Sequence, residues 1–266
     1  MHSINGIRKT AFSSVIPLAG LLLAGLLGGA GVRAAQVDLV PPPGSVAFGT
    51  RVTALTNGNF VVTDPQWTDG VNTNLGAVYL YHGATLTNIM RITGSHANDQ
   101  VSSGGIQVIT NGNFLILSRY WANGSATNAG AVTWCSASNG PRGNVGFSNV
   151  VSSANSLVGA YANDSVGYDR SYQQPINILS NGNYVIYSSD WNGTYGAATW
   201  GSGSTGVVGV VSSSNSRVGT TAGDFYYGYI RALPNGNYCI DLPYFDVNGV
   251  RAVSYTHLTL PTNREV

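Results

Sequence analysis

The sequence predicts an all-β protein, a β-propeller-like repeat array of four-stranded antiparallel blades, and the chain is expected to be an incomplete fragment of it. Three observations lead there. The triplet Asn-Gly-Asn begins at Asn57, Asn111, Asn181 and Asn235, at spacings of 54, 70 and 54 residues, and periods of this size belong to propellers, solenoids and arrays. An aromatic residue follows ten positions later in each copy, as Trp67, Trp121, Trp191 and Phe245. A small-residue strand start then recurs: "GAVYLY" from Gly76, "GAVTW" from Gly130, "GAATW" from Gly196 and the degraded "RAVSY" from Arg251. All five tryptophans of the chain fall in these two columns.

Each element has a local reason. Asn-Gly is expected to take the left-handed angles of a type I′ turn, whose twist matches two flanking antiparallel strands. The flanks suit it: "TRVTAL" and "NFVVT", "IQVIT" and "NFLILS", "PINILS" and "NYVIYS", "IRALP" and "NYCID" are β-branched and aromatic runs of strand length. The aromatic ten residues on falls in the loop leaving the second strand, where it is expected to pack against the neighbouring unit. The "GAV" segment is a third strand, and "TNIMRIT", "GNVGFSNVV" and "GVVGVVS" are expected to supply the fourth. A stacked solenoid normally has shorter coils with fewer hairpins, and isolated units of this size bury too little surface to stand alone.

The ends read differently. Residues 1–34 have the order of a secretory signal peptide: Arg8 and Lys9, the apolar run "AFSSVIPLAGLLLAGLLGGAG", then Val32 and Ala34 at the cleavage positions. Export of the mature chain, with no membrane span left after cleavage, is the expectation. Residues 254–266 are expected to be a non-native tail, because "THLTLPT" has no counterpart after the earlier copies and the only glutamate, Glu265, lies there. The repeats are placed at 35–253, with units near 45–100, 101–164, 165–224 and 225–253.

Residues 35–253 hold no lysine or glutamate, and eight arginines against ten aspartates give a net charge of −2. A nucleic-acid partner needs clustered basic residues and is not expected. Cys135 and Cys239 sit at non-equivalent repeat positions, and buried thiols are the expectation.

"VAFGTRVTALTNGNFVVTDPQWTDGVNTNLGAVYLY", Val46 to Tyr81, resembles the FG-GAP repeat of integrin-alpha-type β-propellers, with Phe48-Gly49 at its Phe-Gly position. The later copies, with "GAVTW", "VSSANSLVG" and "VSSSNSRVG", are similar to a repeat of unknown function in large bacterial haemagglutinin-like surface proteins. The resemblance covers nearly all of Val46 to Val253. It implies a cell-surface or extracellular adhesion or interaction module. Its partners would be a host or cell-surface protein or glycan, and neighbouring blades or a second copy. Many FG-GAP blades carry an aspartate-rich calcium loop between the first two strands. This chain has only Asn-Gly-Asn there, whereas calcium takes six to eight oxygens. Asp64, Asp69, Asn72 and Asn74 are a second candidate cluster, but "RYWANGSATN" has lost both carboxylates. No metal site and no cofactor are therefore expected.

His82 and His96 are the histidines between the two ends, and His96 lies near Asp99. A nucleophilic triad is not expected from them, because Asp99 recurs as Asp164 and Asp224 without a histidine. A turn or loop hydrogen bond explains that column better. Paired carboxylates for glycosidase work, a phosphate-binding glycine loop and Cys/His metal spacing are missing from the sequence. No catalytic residue is expected, and the chain is read as non-enzymatic. The rival readings are a fragment of an extracellular polysaccharide-active enzyme and a ligand-free structural spacer. Tyr161, Tyr226 and Tyr227 are left as candidate surface residues.

Overall fold

Alternation of apolar and small side chains along short segments is what places strands in this chain, and nearly every regular element is a strand. The computed structural model describes residues 36–144, 146–170, 174–244, 246–247 and 250–251. The expected signal peptide, the expected tail and Phe245 lie outside the described residues. The chain divides into Met1–Pro42 and Pro43–Val266; in the first, residues 36–42 form no regular element, and all the described strands lie in the second.

The first unit contains β1 (Arg51–Ala54), β2 (Phe60–Asp64), β3 (Ala77–Tyr81) and β4 (Asn88–Thr93). The second contains β5 (Gly105–Val108), β6 (Phe114–Ser118), β7 (Ala131–Ser136), β8 (Gly140–Pro141), β9 (Ser148–Val150) and β10 (Ser156–Val158). The third has β11 (Ile176–Ile178), β12 (Tyr184–Ser188), the single turn α1 (Trp191–Thr194), β13 (Ala197–Gly201), β14 (Gly209–Val210) and β15 (Ser216–Val218). Then follow the hairpin of β16 (Tyr229–Ala232) with β17 (Tyr238–Asp241), and the pair β18 (Asp246–Val247) with β19 (Val250–Arg251). This is an all-β repeat array of several small, mainly antiparallel sheets, and the described sheets form no closed barrel.

The fourth strand departs from expectation in the second and third units. "GNVGFSNVV" and "GVVGVVS" do form strands, but β9 pairs in parallel with β4 of the first unit, and β14 in parallel with β10 of the second. The sheet orders are β1-β2-β3-β4-β9, then β5-β6-β7-β10-β14, then β11-β12-β13-β15. The true fourth strands are β10 and β15, inside "SSANSLVG" and "SSSNSRVG", antiparallel to β7 and β13. Each of these units therefore lays a strand on its predecessor before closing its own sheet.

The core lies between sheets. β2, β3, β6 and β12 are buried along their whole length, because successive side chains of a strand face opposite ways and both faces are covered. In β6, Phe114 and Ile116 join a cluster with Val61, Val78 and Leu80 of the first unit. Leu115 and Leu117 of the same strand join Tyr184 and Ile186 of the third. A third cluster links Val185 and Tyr187 to Ile230, Tyr238 and Ile240. Full burial of such side chains contributes about 1.5–3 kcal/mol each, so the unit-to-unit seams are the principal source of stability.

The hairpin turns also differ from the expected type. Gly58, Gly112, Gly182 and Gly236 have φ of +86°, +86°, +83° and +84°, but the preceding asparagines do not enter the left-handed region. Gly58 donates its N–H to Leu55 O at 3.1 Å, and the other three glycines repeat that bond. The result is a type I turn closed by a left-handed glycine, the three-residue hairpin loop with a bulge. The asparagine side chain is the reason: Asn57 Oδ1 accepts the N–H of Asn59 at 3.1 Å, and Asn111, Asn181 and Asn235 do the same.

Candidate functional site

Three recurrent columns have structural readings in the sequence, and most of their members fasten one unit to the next. The first is Asn-Gly-Asn. Asn57 and Asn59 both donate from Nδ2 to Ala137 O in the second unit, at 3.0 and 2.9 Å. Asn111 and Asn113 donate to Gly203 O in the third, at 2.7 and 3.0 Å, and the Trp134 indole N–H donates to the same carbonyl at 3.0 Å. The second column is aspartate. Asp99 Oδ2 accepts the N–H groups of Ser95 and His96, at 2.7 and 2.8 Å, and its Oδ1 accepts that of Ala122 in the next unit at 2.9 Å. Asp164 repeats this with Ala160, Tyr161 and Asn192. Burial pushes the Asp99 and Asp164 carboxyls above the ordinary range, and the main-chain N–H groups only partly offset it.

The third column is tryptophan. Trp121 joins the cluster between the first and second units and Trp191 that between the second and third, as the sequence leads one to expect. Trp67 instead donates from its indole to Pro43 O at 2.8 Å, with the Arg91 guanidinium 4.8 Å from its ring centroid.

The candidate calcium cluster does not converge. Asp64 is fully buried and accepts the N–H groups of Val46 and Ala47 at 3.1 and 2.9 Å. Asp69 is exposed and closes its own turn through the N–H groups of Asn72 and Val71, which hold its carboxyl below the ordinary value. Asn74 pairs with Asn98. Among the described residues no three His, Cys, Asp or Glu side chains gather as a metal group would require. His96 Nδ1 lies 2.9 Å from Ser95 Oγ and 3.8 Å from Asp99 Oδ2. Serine and aspartate thus stand at the same ring nitrogen, whereas a triad needs them at opposite ones. His82 Nδ1 accepts the N–H of Thr85 and closes the turn between β3 and β4. Cys135 and Cys239 are both free thiols, the first buried and the second half-buried.

The remaining candidate is a cleft of about 220 Å³ where loops β10–β11, β12–β13 and β15–β16 meet. Arg170, Ser189, Asp190, Thr194, Phe225, Tyr226 and Tyr227 line it. Arg170 Nε lies 2.9 Å from Asp190 Oδ1, with the arginine largely exposed and the carboxylate buried. Tyr226 and Tyr227 are 47% and 54% exposed, their rings edge to face at 4.4 Å, and Tyr244 extends the group at 6.1 Å. One unit back, Arg119 lies 3.5 Å from the ring centroid of Tyr168 and 5.3 Å from that of Tyr120. Tyr161 stands 58% exposed in loop β10–β11. Sequence reasoning singled out Tyr161, Tyr226 and Tyr227 but missed Arg170, Asp190, Tyr120 and Tyr244. The last two share a legible signal: each directly precedes the aromatic of the third column.

Repeated sheets, seam-fixing columns and variable polar-aromatic loops define an all-β repeat protein. A family model, described as Repeat of unknown function (DUF5650), matches three times, over residues 54–103, 108–168 and 178–227. The matches span more than half of the chain, which belongs to this family. No curated protein matches it.

Proposed function

We propose that the chain is a non-catalytic adhesion or interaction module, exported and displayed at the cell surface or outside the cell. Its contact surface is the loop end carrying Tyr226, Tyr227, Tyr244 and the Arg170–Asp190 pair. The carrying observation is a division of labour: most of the recurrent asparagines, aspartates and tryptophans are occupied in seams, whereas the exposed Tyr161, Tyr226 and Tyr227 are not repeated from unit to unit. Variable loops on a rigid frame are the usual place for recognition. Exposed tyrosine offers apolar area with a polar tip at low entropic cost. The resemblance to FG-GAP and haemagglutinin-like surface repeats and the signal-peptide pattern of residues 1–34 support the same reading.

The test is binding of the full-length protein to immobilised cell-surface glycans and matrix proteins, wild type against a Tyr226→Ala/Tyr227→Ala variant of unchanged circular dichroism. The variant should bind at least about tenfold more weakly, the loss expected of central aromatic contacts. No binding to either class, or equal binding by both proteins, would remove the proposal.

A further inference from the structure

We infer that the outer edge of β15 is a docking site for an extended strand of this same repeat, of the form Val-Val-Ser-Ser, supplied by a further repeat unit. The pattern is set twice within the chain. β9 lies in parallel on β4, with Arg91 opposite Ser148 and Thr93 opposite Val150. The ends of that contact are fixed by Arg91 N–H donating to Phe147 O at 2.7 Å and Val151 N–H donating to Thr93 O at 3.0 Å. β14 lies on β10 in the same sense, with Val158 opposite Val210 and Val211 N–H donating to Val158 O at 3.0 Å. Both added strands lead into the same turn, where Asn155 Nδ2 donates to Val150 O and Asn215 Nδ2 to Val210 O.

β15 is the third member of this series. Val218 pairs with Ala197 as Val158 pairs with Ala131, so its N–H and C=O face away from β13 as those of Val158 face away from β7. Among the described residues no strand lies on that edge. A second, independent observation concerns the side chains. The valine that follows each added strand is buried in the seam beneath it: Val151 in the first cluster and Val211 in the second, each 2% exposed. Among the described residues the third cluster has no such valine. The open main-chain edge and the missing buried valine point to the same segment, which supplies both in the first two seams. Edge addition of this kind takes affinity from main-chain hydrogen bonds and specificity from alternate side chains.

The test titrates the full chain with a synthetic peptide of residues 146–156, "GFSNVVSSANS", at millimolar concentration, and follows amide signals by NMR. A control peptide carries Val151→Pro, which removes the donating N–H. Saturable shifts centred on Val218 are expected, with exchange of its amide slowed about threefold to tenfold, the factor one net hydrogen bond supplies. The control peptide should give neither effect. Absence of any shift, or an equal response to the proline peptide, would overturn the inference. Protection of Val218 matching that of Val158 without peptide would mean that the edge is already covered: if lost on dilution, a second copy supplies the strand and the inference holds; if retained, the chain's own residues beyond 251 cover the edge and the inference falls.

Discussion

Asp99 of the first unit and Ala122 of the second are joined by a carboxylate–amide hydrogen bond of 2.9 Å, with the aspartate fully buried. Asp164 and Asn192 repeat the contact at 2.8 Å one unit later. A single side chain therefore ends the fourth strand of its own sheet and holds the loop after the aromatic of the next.

Asp99→Ala is expected to destabilise the protein by about 2–4 kcal/mol, since three main-chain donors lose their acceptor and at least one stays buried. Asp164→Ala should behave alike. Urea unfolding of both variants checks this, and a cost below about 0.5 kcal/mol, the range of surface substitutions, would show that water replaces the carboxylate without loss.

The two asparagines of each turn are not equivalent. Asn59 is buried, donates to Ala137 O and accepts the N–H of Gly83 through Oδ1 at 3.3 Å, tying its own unit to the next. Asn57 is exposed and shares the same acceptor. Asn59→Ala should cost about 1–3 kcal/mol and Asn57→Ala less than about 1 kcal/mol. Hydrogen exchange at Gly83 separates the two, because only the first variant should speed it.

How far the fold is legible follows from which residues encode it. Hairpins, repeat period and the first three strands of the first three units are local properties of "NGN", "GAV" and their flanks, and the sequence places them correctly, whereas it misplaces the fourth strand of the second and third units. The aspartate column is legible too, because recurrence without a catalytic partner marks a structural role. The turn type is not, since Asn-Gly suits a type I′ turn until the Asn57 Oδ1 bond to Asn59 keeps the asparagine right-handed. Strand exchange is equally hidden: "NVVSS" has strand propensity, but its partners in β4 lie 57 residues back in the sequence and are selected by tertiary packing. The cleft was half legible, because exposed tyrosines can be suspected from the sequence while the Arg170–Asp190 pairing depends on two loops meeting.

Two kinds of glycine give a sharper comparison. Gly58 has φ +86° with open space where a Cβ would stand, so Gly58→Ala carries only the left-handed penalty of about 1–2 kcal/mol. At Gly76 and Gly130, φ is +75° and +76°, and a Cβ would come within 2.2 Å of the main-chain nitrogens of Val101 and Val166. Gly76→Ala and Gly130→Ala should therefore cost more than about 3 kcal/mol, as overpacking adds to backbone strain. Thermal unfolding of the three variants tests the ranking, and equal losses would refute the close approach.

The cysteines should differ in reactivity. Burial pushes the Cys135 thiol well above its usual value, and the thiolate is the reactive form. Cys239 is half-buried in β17. A thiol reagent added to the native protein should therefore label Cys239 first and reach Cys135 only on unfolding. Mass spectrometry of partly labelled protein reads the order directly.

The aspartate column makes a pH prediction in which equivalent residues titrate in opposite directions. Burial raises the folded-state pKa of Asp99 and Asp164 above the ordinary 3.8. Their contribution to stability is therefore fully present below that value and is lost as pH rises through the raised pKa. For Asp224 burial also works upward, but the N–H groups of Thr221 and Thr220 and both hydroxyls outweigh it, and the pKa is lowered. Its contribution is present above 3.8 and lost as pH falls through the lowered value. Carboxyl carbon NMR should accordingly give midpoints above 3.8 for Asp99 and Asp164 and below it for Asp224. Acidification towards pH 4 should leave the Ala122 and Asn192 amides protected. Below the Asp224 midpoint, Thr220 and Thr221 should exchange faster. A midpoint for Asp99 below 3.8 would mean that its three amide donors outweigh burial, and its seam would then weaken in acid as the Asp224 turn does.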